Sequence, residues 1–327
     1  MTVVGIHASH EQVHPTALLR AVQQAESAGF TAAMCSDHYL PWSERQGQSA
    51  FAWSWLGAAL QATQLPFGVV NAPGQRYHPA IIAQASATLA AMYPGRFWVA
   101  LGSGQALNEH ITGEAWPRKD IRNARLRECV DVMRRLYTGD EVNHDGLVTV
   151  DRARLFTVPE AAPQLIGAAL TVATAAWVAQ WADGLITINQ PHQQLRAMID
   201  AYRSAGGRGN LHLQVHVSYA ADDETARAIA HDQWRTNVLP SPTSWDLNTA
   251  ADYDAVGELV SPERVEQSVR VSADPARHAG WIQEYIDLGF DEIYLHHVGQ
   301  EQDEFIDVFG AKVLPQLPVT GKRRPQP

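Results

Sequence analysis

The feature that most constrains the fold of this 327-residue chain is a regular alternation of short apolar runs with amphipathic helical stretches. The runs are VVGIHA, TAAMCS, FGVVNA, RFWVALG, PQLIGAA, GLITIN, LHLQVHVSYA and EIYLHHV, and apolar residues at helical spacing follow each of them. Apolar runs of this kind are typical of strands buried on both faces of a parallel sheet. Eight strand–helix units favour a closed (β/α)8 TIM barrel over an open doubly wound sheet.

Two longer stretches interrupt this rhythm, and we interpret both as insertions into the barrel. The first covers about 103–160 and includes a predicted hairpin, GLVTVDRARLFTV; the second covers about 236–272. The sequence therefore predicts one barrel domain over residues 1–318. The basic segment VTGKRRPQP, residues 319–327, is predicted to be a disordered tail.

The charge and cysteine content exclude several classes of protein. The formal net charge is −10 at pH 7, and binding to a nucleic-acid backbone needs a positive field, so no nucleic-acid partner is expected. Cys35 and Cys129 fall in predicted buried elements, which is typical of a reducing compartment. Because neither a charged leader nor an apolar run of roughly 18–20 residues is present, we expect a cytoplasmic protein without a membrane partner.

Polar, histidine-containing and glycine-containing segments follow most of the predicted strands. In chain order they are HASHEQ, SDHYLPW, NAPGQRYHP, GSGQALNEH, AALTVAT, NQPH and HHVGQ. The carboxyl ends of the strands of a (β/α)8 barrel share one face, where the active sites of such barrels lie. We therefore predict a functional site at this mouth, with its histidines and acids as candidates for proton transfer.

Several of these segments also have a purely structural interpretation. Asp37 of SDHYLPW could cap a turn while the neighbouring aromatic rings fill the core. The segment GSG lacks the third glycine of a dinucleotide-binding fingerprint. The pairs His7/His10 and His296/His297 lack a helical spacing with a carboxylate partner, so structural histidines are preferred and no metal site is predicted.

The segment AALTVAT offers a further candidate site. Thr171 and Thr174 are suited to cap the start of a helix. Free N–H groups at such a start can hold a phosphate. The sequence leaves open whether these threonines serve a phosphate or are ordinary caps.

Four segments carry a resemblance to a known family: SDHYLPW, RYHPAIIAQASATLAAMYPGRFWVALGSGQALNE, RLRECVDVMRRL and WADGLI. They resemble the luciferase-like flavin and deazaflavin oxidoreductases. The likeness runs from residue 3 to about 317, and it is greatest to the branch containing F420-dependent glucose-6-phosphate dehydrogenase, which includes an FMN-using sub-branch. It implies a (β/α)8 barrel, a homodimer, and a flavin-type ring at the carboxyl-terminal mouth.

The resemblance also implies roles for particular residues. His38 would be the acid or base at the reacting carbon, with Glu11 as a second carboxylate within reach. The implied cofactor contacts are Asp37, Val69, Val70, Ala72, Ser103, Gly104, Asn108, Leu170, Thr171, Ala173 and Thr174. A non-prolyl cis bond is implied at Val69–Val70, which costs about 3–4 kcal/mol and persists only where the fold enforces it. The implied substrate pocket comprises Trp42, Trp53, Tyr77, Ile188 and His297.

Two departures from the family pattern bear on the reaction. The family's catalytic glutamate falls on Gln105, a candidate catalytic position whose amide cannot exchange a proton near neutral pH. The three basic residues that grip the sugar phosphate fall on Pro191, Ser244 and Ser268. Because a dianion buried without cationic partners is heavily penalised, we expect a neutral or weakly polar small molecule instead of glucose 6-phosphate.

The sequence therefore predicts an oxidoreductase that exchanges hydride between a flavin-type cofactor and a small organic substrate. Loss of the acid at Gln105, together with an acidic and lysine-poor chain, slightly favours FMN over the deazaflavin coenzyme F420. One alternative is an FMN-dependent monooxygenase that uses oxygen and a flavin reductase partner. Another is a non-catalytic flavin-binding protein, and a metal-dependent barrel hydrolase is more distant.

Overall fold

The computed structural model describes residues 2–318. Its strands are β1 (Val3–Ala8), β2 (Ala33–Ser36), β3 (Phe67–Asn71), β4 (Phe97–Leu101), β5 (Val142–Asp145), β6 (Thr149–Ala153), β7 (Gln164–Ala168), β8 (Gly184–Ile188), β9 (Asn210–Ser218), β10 (Arg270–Val271) and β11 (Glu292–His297). Its α-helices are α1 (Pro15–Ala28), α2 (Ala52–Ala62), α3 (Pro79–Met92), α4 (Ala106–Glu109), α5 (Lys119–Tyr137), α6 (Val172–Val178), α7 (His192–Ser204), α8 (Asp223–Trp234), α9 (Thr243–Asp246), α10 (Ala250–Gly257), α11 (Pro262–Glu266), α12 (Pro275–Asp287) and α13 (Asp303–Val308).

Eight of the strands in residues 2–318 form a closed parallel barrel. Their order is β1, β2, β3, β4, β7, β8, β9 and β11. The ring is completed because β8 pairs with β9 and β11 pairs with both β9 and β1. The short strand β10 adds to β9, and the antiparallel β5–β6 hairpin lies outside the barrel. The predicted (β/α)8 TIM barrel is confirmed.

The helix starts at the mouth are set by local sequence signals. Pro15, Pro79 and Pro275 occupy the first helical position of α1, α3 and α12, where a missing N–H costs nothing. The side chain preceding each proline accepts a hydrogen bond from a backbone N–H of the first turn. In the described part of the chain, none of the helices combines the length and the apolarity needed to cross a membrane.

Aromatic rings fill the lower half of the barrel and leave the upper half free for a site. The Trp98 ring lies 5.8 Å from the Tyr294 ring and 4.9 Å from the His212 ring, with Met34 in the same buried cluster. Since successive side chains of a strand point to opposite faces, the residue two positions beyond Tyr294, His296, also points inward. Positions of this upper layer face the carboxyl-terminal mouth.

The segments predicted to be insertions form ordered elements. The first contains α4, α5 and the hairpin, and the second contains α9, α10 and α11. The predicted hairpin segment GLVTVDRARLFTV is displaced towards the carboxyl terminus, because Gly146 lies in the turn between β5 and β6 and marks no strand start. The boundaries of the single domain stay a prediction, and the predicted tail lies outside the described residues.

The predicted cis bond at Val69–Val70 is wrong. In residues 2–318 the cis peptide bond is Ser241–Pro242. Strand β3 pairs in regular parallel register on both sides, with Val70 opposite Ser36 of β2 and Ala100 of β4. A ladder that continues regularly through this position is built from trans peptide units.

The packing of Trp98 over Gly68 generates a stability prediction. A Cβ added at Gly68 would lie 2.0 Å from Cζ2 of Trp98, so the ring would have to move inside a filled barrel. We expect Gly68→Ala to lower the free energy of unfolding by about 1–3 kcal/mol, as overpacking typically does.

The matched control is Gly57→Ala, because Gly57 lies in α2 and a Cβ there would meet no atom within 4 Å. Replacing an unhindered helical glycine should raise stability by about 0.5–1 kcal/mol. Denaturant unfolding of both variants measures the difference. Equal stability of the two variants would contradict the packing described for Gly68.

Candidate active site at the barrel mouth

A cavity of about 490 Å³ opens at the carboxyl ends of the barrel strands. This volume is typical of small-ligand and cofactor sites, which span about 300–1,000 Å³. The sequence-predicted residues that line it are Glu11, Asp37, His38, Trp42, Val70, Ala72, Ser103, Gly104, Gln105, Asn108, Leu170, Thr171, Thr174 and Ile188. The structure thus brings together residues from segments that are far apart in the sequence.

Five predicted site residues lie outside the cavity. The Val69 side chain packs in the core between barrel and helices, and Ala173 is exposed on the first turn of α6. His297 points outward from β11 and stacks on Phe305, because it alternates with the inward-facing His296. Trp53 and Tyr77 lie behind the cavity wall and donate hydrogen bonds to Asp37. They do not line the substrate space, contrary to the prediction.

His38 and Glu11 form a buried pair on the cavity wall. The Nδ1 atom of His38 lies 3.4 Å from Oε1 of Glu11, and Ser9 donates a hydrogen bond of 2.8 Å to Oε2. Burial lowers the pKa of His38 to about 3, and the charges of Arg76 and His10 act in the same direction. Burial raises the pKa of Glu11 to about 7 against the opposing hydrogen bond from Ser9. At neutral pH the imidazole is therefore uncharged beside a carboxyl group that is close to its titration midpoint.

Asp37 is a buried carboxylate supplied with donors from three directions. Its Oδ2 accepts hydrogen bonds from Trp53 Nε1 at 2.9 Å and from Asn71 Nδ2 at 2.8 Å. Its Oδ1 accepts one from the Tyr77 hydroxyl at 3.3 Å. A buried carboxylate needs such partners, since each unmatched lone pair costs desolvation energy. The network fixes the backbone immediately before His38.

Sequence reasoning missed Arg76 and Glu109, which join two of the mouth loops. Arg76 donates from Nη2 to the carbonyl oxygen of Asp37 at 2.8 Å, and its backbone N–H donates to Oε2 of Glu109 at 2.7 Å. The Arg76 Nε also lies 3.6 Å from Oε1 of Glu109, and burial raises the pKa of Glu109. Both residues belong to the polar segments that follow strands, NAPGQRYHP and GSGQALNEH. They are 33 positions apart, and no local sequence signal predicts that they pair.

Asn108 connects the loop after β4 to the loop that carries His38. Its Oδ1 accepts hydrogen bonds from the backbone N–H groups of Tyr39 at 2.8 Å and Leu40 at 3.2 Å. Its Nδ2 donates to Oε1 of Gln105 at 3.4 Å. Asn108 therefore positions the His38 loop in addition to lining the cavity.

The second insertion is tied to the same loop through Asp254 of α10. Oδ1 of Asp254 accepts hydrogen bonds from the Ser43 hydroxyl at 2.6 Å and from Nη1 of Arg45 at 2.7 Å. Oδ2 accepts one from the backbone N–H of Glu44 at 2.9 Å. Trp42, one residue earlier, packs edge-on against Tyr253 with ring centroids 5.3 Å apart.

Three small residues, Ala72, Ser103 and Gly104, form a low wall of the cavity. Gly104 has φ of +79°, in the left-handed region that favours glycine. A Cβ there would lie 3.2 to 3.4 Å from Glu109, Trp116 and Ala72, so these neighbours would have to shift by a few tenths of an ångström. The cavity volume and this low wall fit a planar tricyclic ring such as a flavin or a deazaflavin.

The imidazoles of His7, His216 and His296 form the cavity floor. The sequence placed His7 and His296 in strand-end segments at the mouth without a specific role, and it did not place His216 there. The rings of His7 and His296 stack with centroids 4.3 Å apart. His296 donates from Nε2 to Gln12 at 2.8 Å, and Gln214 donates to Nδ1 of His296 at 3.1 Å and to Nε2 of His216 at 3.2 Å. Burial lowers the pKa of all three imidazoles, so the floor is uncharged. For His216 and His296, the period-two spacing in LHLQVHV and EIYLHHV was the available signal.

The two histidine pairs considered as metal ligands are separated by the fold. His7 faces the cavity, whereas His10 packs edge-on against Trp55. His296 and His297 point to opposite sides of β11. In residues 2–318, no set of three or more His, Cys, Asp or Glu side chains is grouped to hold a metal ion.

Cationic side chains also line the mouth, which the sequence-based argument on Pro191, Ser244 and Ser268 did not foresee. Lys119 and Arg122 reach the cavity from α5, and Arg264 reaches it from α11. The Arg264 Nη1 donates a hydrogen bond to Gln267 at 2.6 Å. The cations thus come from other positions than those of the family pattern.

A closed (β/α)8 barrel with a buried His–carboxyl pair and a ring-sized cavity at its mouth defines a TIM-barrel enzyme with a cofactor-binding site. The family model described as luciferase-like monooxygenase matches residues 1–292. The chain belongs to this luciferase-like family and is one of its oxidoreductases, as the sequence predicted.

Similar proteins cover nearly the whole chain. An F420-dependent glucose-6-phosphate dehydrogenase of Intrasporangium calvum is 33% identical over 97% of this chain and 99% of its own length. A second F420-dependent glucose-6-phosphate dehydrogenase, from Mycobacterium avium, is 30% identical over 96% of this chain and 97% of its own length. The solved structure of an F420-dependent secondary alcohol dehydrogenase in complex with an F420–acetone adduct is 30% identical in sequence. Its TM-score is 0.89, over 96% of this chain and 98% of that chain. The F420-dependent tetrahydromethanopterin reductase of Methanopyrus kandleri, at 19% identity and a TM-score of 0.75 over 96% and 99%, shares the fold.

The raised pKa of Glu11 predicts a pH-dependent contribution to stability. Because the pKa in the folded chain is about 7 against an ordinary 4.5, the folded state holds this proton more tightly. The resulting stabilisation is complete below pH 4.5 and is lost as the pH rises through 7. This pKa difference of about two and a half units corresponds to about 3 kcal/mol of folding free energy.

Glu11→Gln replaces the protonated carboxyl with an amide that does not titrate. The stability of the wild type relative to this variant should therefore fall by up to about 3 kcal/mol between pH 4.5 and 8. Urea unfolding of the wild type and Glu11→Gln at a series of pH values measures this difference in stability. Glu114→Gln, which removes an exposed carboxyl, is the control. A difference that does not change with pH would show that Glu11 has an ordinary pKa.

Proposed function

We propose that the chain is an F420-dependent oxidoreductase that exchanges hydride with a small alcohol or its carbonyl counterpart. The observation that carries the proposal is the buried His38–Glu11 pair, 3.4 Å apart, on the wall of a ring-sized cavity. Trp42, whose ring centroid lies 5.2 Å from that of His38, supplies an apolar surface beside the pair. A homodimeric state, a cytoplasmic location and the assigned roles of the site residues are part of the same proposal.

The names of the similar proteins favour F420 over FMN. The relatives in Intrasporangium and Mycobacterium and the alcohol dehydrogenase are all named F420-dependent. This reverses the slight preference for FMN that the sequence alone suggested. The residues that would hold the ring are those of the low wall, Ala72, Ser103 and Gly104, and the tail would meet Leu170, Thr171 and Thr174.

The state of the His38–Glu11 pair suits proton transfer coupled to hydride transfer. A deazaflavin held in the cavity would supply the acceptor and donor of hydride for a substrate carbon. When an alcohol loses hydride from carbon, its hydroxyl proton must go to a base, and the uncharged His38 imidazole is free to accept it. Once Glu11 is ionised, its carboxylate stabilises the imidazolium that forms.

The reverse reaction uses the same two groups. A carbonyl carbon that receives hydride needs a proton on its oxygen, and the proton that Glu11 holds below pH 7 can reach that oxygen through His38. Because Glu11 has a pKa of about 7, the pair holds one proton more on the acidic side of neutrality and one fewer on the alkaline side. Reduction is therefore favoured at low pH and oxidation at high pH.

The proposed substrate lacks a phosphate. Pro191, Ser244 and Ser268, which replace the family's phosphate-gripping cations, all line the cavity without a charge. The alcohol dehydrogenase with a TM-score of 0.89 is complexed with an F420–acetone adduct, which supports a small, uncharged substrate. The floor of uncharged imidazoles adds no charge that would attract a phosphate.

The cofactor and substrate are tested together with purified chain. We expect F420 to bind and to be reduced by small secondary alcohols, with glucose 6-phosphate giving at least about 100-fold lower kcat/KM, equivalent to about 2.7 kcal/mol. Absorbance of oxidised F420 measures both. Tight binding of FMN, and formation of an oxygenated product by the reduced protein with a flavin reductase, would establish the monooxygenase alternative and overturn the proposal.

Replacing His38 separates catalysis from binding. We expect His38→Ala to lower kcat by about 10²–10⁴-fold, the usual contribution of a general acid or base, while F420 affinity changes little. His192→Ala is the control, since that imidazole lies on α7 outside the cavity and pairs with Glu284 at 3.4 Å. Turnover that survives in His38→Ala would remove this residue from the mechanism, and binding without turnover in the wild type would indicate a non-catalytic protein.

A further inference from the structure

A cluster of two cations and two indole rings lies at the cavity mouth and takes no part in the proposed proton transfer. We call Lys119, Arg122, Trp116 and Trp245 the rim cluster. The Nζ of Lys119 lies 4.4 Å from the Trp245 ring centroid, and the guanidinium of Arg122 lies 4.3 Å from that of Trp116. Each cation thus lies over an aromatic ring. One ring comes from the segment that precedes α5 and the other from α9.

The cations stand at the start of a long helix. Helix α5 has 19 residues and begins at Lys119, and no side chain caps its first turn at Arg118. Lys119 and Arg122 are three residues apart, so they share one helix face, and both line the cavity. The free N–H groups and positive end of the helix dipole add to their charge.

Arg122 is buried with part of its guanidinium unmatched. It is 5% exposed, and its Nη1 donates to the carbonyl oxygen of Pro117 at 2.7 Å. Its Nε is buried without a hydrogen-bond partner among residues 2–318. A buried, partly unsatisfied guanidinium beside a cavity is costly unless an acceptor completes its hydrogen bonds.

The negative charges nearby do not neutralise the rim cluster. Asp246 accepts a hydrogen bond from Trp116 Nε1 at 3.1 Å and raises the pKa of Arg122, although burial has the larger, opposite effect. The pKa of Lys119 is lowered by burial and by the charge of Arg122. One exposed carboxylate thus faces two cations that repel each other.

We propose that the rim cluster is a binding subsite for an oxyanion, a carboxylate or phosphate, held by Lys119, Arg122 and the first turn of α5. The acidic tail of the cofactor and an acidic group on the substrate are the two sources of that chemistry. The choice between them rests on the proposed function, which has an uncharged substrate and assigns the phosphate-bearing part of the cofactor's tail to Leu170, Thr171 and Thr174. It therefore favours the carboxylates farther along that tail. The subsite itself rests only on the rim cluster.

Lys119→Gln tests the subsite without disturbing the buried arginine, because Lys119 is only partly buried. The matched control is Arg118→Gln, which removes an adjacent cation whose side chain is 86% exposed. Three probes are titrated against each chain by fluorescence: F420, its ring-and-ribityl fragment without phosphate or glutamate, and citrate. We expect Lys119→Gln to weaken F420 and citrate binding about 5–20-fold at low ionic strength and to leave fragment binding unchanged.

The outcomes of these titrations distinguish the two possible sources of the oxyanion, the cofactor's tail and the substrate. Weakened F420 and citrate binding with unchanged fragment binding supports the subsite with the cofactor tail as its anion. Weakened citrate binding with unchanged F420 binding, together with a raised KM for a hydroxy acid but not for the matching neutral alcohol, supports it with the substrate as source. Equal citrate affinity in the wild type, Lys119→Gln and Arg118→Gln overturns it. Citrate needs no bound cofactor, so failure of F420 to bind would contradict the proposed function and leave this result readable.

Discussion

The buried carboxylate of Asp37 is the interaction on which the site geometry depends. Since a carboxylate in this position needs hydrogen-bond donors, it gathers Trp53 from α2, Asn71 from the end of β3 and Tyr77 from the following loop. Arg76 then binds the carbonyl oxygen of the same residue. Three neighbouring elements of the barrel thereby fix the backbone that carries His38, and a well-positioned imidazole follows from a structural carboxylate.

Much of the fold could be predicted from the sequence, because each strand–helix unit carries its own local signal. The eight apolar runs sufficed for the barrel, and the polar segments after them located the mouth. Contacts across the mouth could not be predicted. Arg76 and Glu109, or Lys119 and Trp245, meet only once the barrel is closed, and no local pattern links them. Trp53, an aromatic residue near the mouth, was expected to face substrate, but its indole N–H is used by Asp37.

The alternation of side chains explains the remaining differences at the site. Adjacent residues of a strand face opposite sides, so of His296 and His297 only one can face the cavity, and pattern alone did not decide which. The resemblance places the family's catalytic glutamate at Gln105. In this chain the cavity contains the carboxyl group of Glu11 beside His38 instead.

The three hydrogen bonds of Asp254 join the second insertion to the loop that follows strand β2. Substrate preference in this barrel therefore cannot be redesigned by grafting residues 236–272 from a relative as a free-standing module. A transplanted segment without a carboxylate at this position would leave the Ser43 hydroxyl and the backbone N–H of Glu44 without their acceptor and weaken the hold on Trp42 beside His38. Evolution of new specificity on this scaffold has to alter the insertion and residues 42–45 as one unit.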